Sequence, residues 1–244
     1  MGRWSHELGK AFIAWMQPPT GGRWLDVGCG TGIFTELICE TCAPASMIAV
    51  DLAESQIAHA RKRAGRKAEF RIADAQQLPF PDASFDVVAS ALVMNFVPDR
   101  TRAISEMRRV TRPGGLVAAC VWDFAAELSP SGPLRRAMRR IGIDAPPVPG
   151  TDASRLGEIG DLFQKGSLRV VTNTCIEVAV SFRTFDDFWF SQTPRYAPIT
   201  KAIAAMSLRD RQSLMEAVRA DLRPSPGGVR YSARANAVRG YCPD

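Results

Sequence analysis

Histidine is almost missing from this chain: His6 and His59 are its two among 244 residues. A lone C-x-x-C at Cys39 and Cys42 has no second pair spaced to match it, so no zinc-type ligand set can be assembled and no metal site is expected. The six cysteines are scattered through a chain too long for a disulfide scaffold, and reduced, buried thiols are the expectation. Long apolar runs are absent too. The longest uncharged one, residues 116–122, falls far short of the ~20 residues of a membrane span. The opening MGRWSHELGK lacks the apolar core of a secretory leader, and His6 stands where a myristoylation signal has Ser or Thr. A soluble cytoplasmic protein is therefore expected. There is no internal repeat and no low-complexity tract.

What is present is ordinary globular composition, 46% hydrophobic and 23% charged, at a length that suits one α/β domain with an elaboration. The net charge is +6. Basic runs occur at Arg61–Lys62–Arg63, Arg66–Lys67, Arg108–Arg109, Arg135–Arg136 and Arg139–Arg140. Most fall on expected helices and none is interleaved with aromatics, so solvated helix faces are preferred to a nucleic-acid surface.

Apolar spacing predicts a helix over 5–17, with Ser5 as N-cap. Strands RWLDV, SMIAVD, AEFRIAD (ending at Asp74), FDVVASA and GLVAACVW then alternate with helices over about 31–42, 54–64 and 99–110. Near-continuous apolar strands alternating with helices indicate a doubly wound parallel sheet, whose ligands lie beyond the carboxyl ends of the strands. Past Trp122 the pattern changes. Helices are expected at 134–141, 154–163, 184–191 and 208–222, a turn at 224–228 and a final strand at 229–241. A long strand is expected over 168–182, with Leu168, Val170, Ile176, Val178, Val180 and Phe182 in one phase. The whole, 1–244, reads as a single domain. Residues 1–22 form a helical cover, 23–123 the core and 124–166 a linker with helices. Residues 183–226 form an acceptor lid between the last two strands.

The chemistry centres on WLDVGCGTG, residues 24–32. Its pattern is G-x-G-x-G; Ile33 stands where the dinucleotide fingerprint has its third glycine, and no Lys-Ser or Lys-Thr follows to make a P-loop. LDVGCGTG, then VDLAESQIAHAR, ADAQQLPFPDASFDVV and RPGG in that order, resembles the class I S-adenosylmethionine-dependent methyltransferases over about residues 20–123. The wording is nearest the small-molecule, ubiquinone/menaquinone-biosynthesis-like branch. The resemblance implies a Rossmann-like, mostly parallel seven-stranded sheet with an antiparallel C-terminal strand and a helical lid. It implies S-adenosyl-L-methionine as donor and S-adenosyl-L-homocysteine as product.

It also implies a donor site. Gly28, Cys29, Gly30 and Gly32 would pass backbone beside the methionine portion, with Asp26 holding the loop and the amine end. Asp51 would accept from the ribose hydroxyls, Leu52 would pack on adenine, and Asp74 and Ala75 would bind its edge. Ala91 and Met94 would face the transferred methyl, Trp4 would cover the donor, and Gln56 is placed with this set. Each has a blander alternative: Asp51 suits a nicotinamide ribose as well, Asp74 could cap a turn, Asp26 could anchor a loop. Asp86, at the far end of its strand, is expected to be structural.

Methyl transfer from a sulfonium is an in-line displacement that alignment can promote by roughly 7–11 kcal/mol, so a general base is optional. His6, Asn95, Asp123 and Tyr196 are candidates for a base or orienter. Phe185, Phe188, Trp189, Phe190 and Tyr196 form either core or an aromatic acceptor pocket; Arg183 and Arg195 either meet an acidic acceptor or lie on the surface. The favoured function is methyl transfer to a small-molecule acceptor. An RNA or protein methyltransferase and a non-catalytic donor-binding protein stay open; a nicotinamide oxidoreductase is disfavoured by Ile33.

Overall fold

The computed structural model describes residues 2–193, 198–225 and 228–244. The expected parallel strands are β1 (Arg23–Val27), β2 (Ser46–Asp51), β3 (Glu69–Ile72), β4 (Phe85–Ala91) and β5 (Thr111–Trp122). Among them run α2 (Ile33–Thr41), α3 (Glu54–Ala64) and α4 (Arg100–Val110). Beyond them come α5 (Gly132–Arg140), α6 (Leu156–Lys165), β6 (Arg169–Phe182), α7 (Phe185–Gln192), α8 (Pro198–Ala204), α9 (Leu208–Asp221), β7 (Arg223–Ser225) and β8 (Gly228–Tyr241). The sheet order is β3-β2-β1-β4-β5-β8-β6, with β8 antiparallel to both neighbours. β7 adds a three-residue eighth strand on β8.

The strands are apolar throughout because both faces are covered. Trp24, Val87, Ala89, Ala118, Cys120 and Trp122 feed one core; Leu25, Val27, Val88, Val117, Ala119 and Val121 feed the other. α1 (Gly2–Met16) closes the first face with a stripe of Trp4, Leu8, Phe12, Ile13 and Met16. It crosses α2 closely at Gly9, where a Cβ would come 2.6 Å from Leu37. The chain winds outward both ways from β1 and β4. The crevice beyond their carboxyl ends is thus the topological switch point, where doubly wound sheets bind ligands.

Several expectations need correction. α1 begins at Gly2, so Ser5 lies inside the helix rather than capping it. The phase of the long strand breaks at Val170, which has φ 51° and is 73% exposed, because the register with β8 shifts between Arg169 and Thr172. α8 was not anticipated. β7 occupies the start of the expected 224–228 turn; Pro226 and Gly227 lie outside the described residues.

The basic runs largely meet acids: Arg63 pairs with Glu36, Lys67 with Glu40, Arg109 with Glu106 and Asp82, Arg136 and Arg140 with Asp221, and Arg139 with Glu127. Asp86 joins Arg23 and Arg112 at the opposite end of the sheet from the crevice, as a structural residue should. No helix among the described residues is long and apolar enough to cross a membrane.

Candidate functional site

β1 ends at Val27 and the chain turns sharply through Gly28–Gly32. Gly28 and Cys29 donate their N–H groups to the Val50 carbonyl at 2.8 and 2.9 Å, pinning the loop to β2. Gly28 (φ 79°) touches Val93 so closely that a Cβ would be driven into it. Gly30 (φ 52°) is the reverse case: a Cβ there would meet nothing within 4 Å, so bare backbone faces open space. Asp51, ending β2, accepts from Gly30 N–H through Oδ2 and from Ala53 N–H through Oδ1, both at 2.9 Å. Each oxygen keeps a further lone pair for a hydroxyl.

Two cavities meet at this loop, sharing Gly28 and Val93. One, of about 180 Å³, runs beneath α1 between Gly28–Thr31 and Ala91–Val93, with Ser5, Leu8 and Gly9 above. The other, of about 470 Å³, is lined by Asp51, Leu52, Asp74, Ala75, Gln76 and Phe96 among others. Leu52 is 70% and Phe96 52% exposed, two large apolar side chains open to solvent at this cavity. Asp74 accepts from Gln76 N–H at 2.8 Å and from its side-chain amide. These bonds hold its carboxyl below the usual range. It therefore caps a turn and lines the cavity at once.

Asp26 lies behind the loop, fully buried. Its Oδ2 accepts from the Thr35 hydroxyl at 2.6 Å, while Oδ1 has no partner. Burial pushes this carboxyl up to about 7, against the Thr35 hydrogen bond and aided by the charge of Asp51. An orphaned, half-committed carboxylate is the kind of group a cationic ligand would satisfy. Cys29, in the loop itself, is buried, and burial drives its thiol far up, away from nucleophilic use.

The other sequence candidates are placed elsewhere. Trp4 lines neither cavity. It is 1% exposed, edge-on to Trp122 at 6.3 Å and to Tyr231 at 5.8 Å, because α1 turns its apolar stripe to the sheet. Met94 is buried in the opposite core, and Val93 takes the place expected of it. Gln56 is exposed on α3 and lines neither cavity; Gln76 does. His6 contacts Glu7 at 3.1 Å and lines a third cavity of about 520 Å³ with Arg3, Glu36 and Arg63, which adjoins the smallest one at Ile33. Asn95 is buried, its amide donating to the Pro149 carbonyl at 3.2 Å. Phe185, Phe188 and Trp189 are core, Phe190 is 72% exposed, and Arg183 is exposed. Tyr196 and Arg195 lie outside the described residues.

Asp123 is committed to structure. It accepts from Arg234 at 2.7 and 3.0 Å and from Ala126 N–H at 2.9 Å. Asp123→Ala is expected to lower stability by about 2 kcal/mol, from charged hydrogen bonds lost and a guanidinium left one-third exposed. Chemical denaturation checks this; an unchanged midpoint with lost donor affinity would return Asp123 to the site. The cavity-lining residues missed from sequence include Val93, Phe96, Gln76 and Ser5. Only the adjacency of Val93 and Phe96 to the end of FDVVASA pointed to them.

Residues 25–119 match a family model described as a methyltransferase domain. The chain is 34% identical over 157 residues to the 27-O-demethylrifamycin SV methyltransferase of Amycolatopsis mediterranei, covering 62% of this chain and 49% of the relative. It is 36% identical over 146 residues to a ubiquinone/menaquinone biosynthesis C-methyltransferase of Geobacter sulfurreducens, covering 57% and 52%. The chain thus spans about half the length of these curated relatives. Among solved structures, the YcgJ protein of Bacillus subtilis superposes with TM-score 0.60 at 17% identity, covering 98% of this chain and 99% of that one; this likeness speaks to the fold alone. Residues 25–119 thus form a methyltransferase domain, and the chain is similar to methyltransferases over about half of their length.

Proposed function

We propose that the protein transfers the methyl group of S-adenosyl-L-methionine to a small-molecule acceptor. The observation that carries this reading is the paired cavity around Gly28, with an empty cradle at Gly30 and Asp51 free to accept at its rim. A donor with a ribose diol, a flat base, an amine and no phosphate fits these groups. Asp51 takes the diol, Leu52 and Phe96 take the faces of the adenine, and Asp74 with Ala75 takes its edge. Asp26, buried behind the loop, balances the charge of the amine from there. The donor supplies an already activated methyl. This chain's residues fix its position, keep water out beneath α1, and leave Ala91 and Leu92 lining the side from which the acceptor approaches. Helices α7–α9, between β6 and β7, serve as the acceptor lid. No general base is assigned.

Scanning calorimetry with S-adenosylhomocysteine against NAD tests the reading: the former is expected to raise Tm and the latter not, since a ligand stabilises the state that binds it. A shift with NAD alone would overturn it.

Asp26 adds a pH signature. Folding raises its carboxyl from 3.8 to about 7, so its contribution to stability is full below 3.8 and is lost as pH rises through about 7. The donor's amine needs the ionised form. Affinity for S-adenosylhomocysteine is therefore expected to rise from pH 6 to 8 and level off, with proton release on binding at pH 6. Titration calorimetry in buffers of differing ionisation enthalpy reads this release, and Asp26→Asn should abolish the pH dependence. A flat wild-type profile would remove Asp26 from the amine site.

A further inference from the structure

We infer that Arg135 recognises an anionic oxygen pair, a carboxylate carried on an apolar acceptor. The inference rests on the methyltransferase reading for the reaction, but not for the binding.

Arg135 stands apart from the other arginines of α5. Arg136 and Arg140 share Asp221, and Arg139 pairs with Glu127. Arg135 is half-buried and has no carboxylate partner among the described residues. Its Nη2 donates to one neutral acceptor, the Pro146 carbonyl, at 2.6 Å. Its Nε–H is buried with no partner at all. Burial pulls its pKa down and no acid opposes the shift. Nε and Nη2 form one edge of the guanidinium, the fork that matches the two oxygens of a carboxylate. Here that edge is half used, by a group without charge. A partly desolvated cation in this state is costly to keep unless something charged completes it.

Its place fits the acceptor side. The segment Pro146–Gly150 links Arg135 to the crevice. Pro146 is held by Arg135, Pro149 by the Asn95 amide at 3.2 Å, and Gly150 packs on the Asn95 carbonyl. Asn95 is two residues beyond Val93, which lines both cavities. Leu134, Ala137 and Met138 of α5 share their core with Trp4, Trp122 and Phe188. Trp122 ends β5 at the level just past Ala91, and both indole N–H groups, of Trp4 and Trp122, are buried without partners. Apolar neighbours with unspent donors suit an apolar body bearing oxygens.

The test uses the full chain, wild type and Arg135→Met, each with and without saturating S-adenosylhomocysteine. Salicylate, cinnamate and octanoate are titrated beside their amides, with tryptophan fluorescence and Tm as readouts. At least one acid is expected to bind where its amide does not, and Arg135→Met to lose about tenfold or more of that affinity, the loss of one charge-assisted bond or more. Arg135→Lys should recover only part, lacking the fork. The ligand-free Tm of Arg135→Met should be unchanged or raised; a role limited to holding Pro146 would lower it. Acid and amide binding alike, no acid-specific response in the series, or full acid affinity in Arg135→Met would overturn the inference. Failure of S-adenosylhomocysteine to bind removes the methyltransferase reading alone, because the titrations without it still judge Arg135.

Discussion

Replacing Asp51 with alanine is expected to weaken S-adenosylhomocysteine binding by about 100-fold, with the fold intact. A hydrogen bond to a charged acceptor contributes about 1.5–3 kcal/mol, and two ribose hydroxyls are lost together, so about 3 kcal/mol is a conservative sum. The carboxylate also holds the N–H groups of Gly30 and Ala53, so part of the effect comes through the loop. Asp51→Asn separates the two contributions. It keeps one carbonyl oxygen and should fall between wild type and alanine. Titration calorimetry reads the affinity and circular dichroism the fold. Wild-type affinity in Asp51→Ala would take the ribose away from β2 and with it the proposed orientation of the donor.

Gly30→Val is the second large effect. A valine Cβ at Gly30 meets no protein atom within 4 Å, so the variant should fold, with a left-handed strain of about 1–2 kcal/mol. The added side chain would fill the space reserved for the methionine portion, and S-adenosylhomocysteine binding should become undetectable. Gly28→Ala makes the contrast. There the new Cβ is driven into Val93, and the cost should appear first as a lower Tm. Thermal melts and titrations on both variants distinguish a ligand-facing glycine from a packing one. Normal binding by Gly30→Val would mean that the cavity beneath α1 holds something else.

The core of the fold was legible because its signals are local. RWLDV and FDVVASA are short apolar runs beside helical periods, and a buried parallel sheet is the arrangement that covers both of their faces. The position of the glycines and Asp51 beside the crevice was legible for the same reason: each follows or ends a strand at its carboxyl end. What failed depended on three dimensions. The stripe of α1 says that Trp4 is buried, not what buries it, and it meets Trp122 from 118 positions away rather than lining the crevice. The partner of Asp123, Arg234, is 111 residues distant in the chain. Val93 displaced Met94 because Leu92 adopts φ 66° and a tight turn over Met94–Phe96 rotates each side chain from its strand phase. Val170 left its phase through a bulge that no alternation reveals.

The central claim is that this sheet edge grips the nucleoside half of a sulfonium donor through two aspartates. A crystal structure with S-adenosylhomocysteine tests it most directly. Both ribose hydroxyls are expected within hydrogen-bond distance of Asp51, the adenine between Leu52 and Phe96 with its edge toward Asp74, and the sulfur facing Ala91. Density for the ligand in the cavity beside His6, or in the crevice with Asp51 and Asp74 turned away from it, would contradict the account.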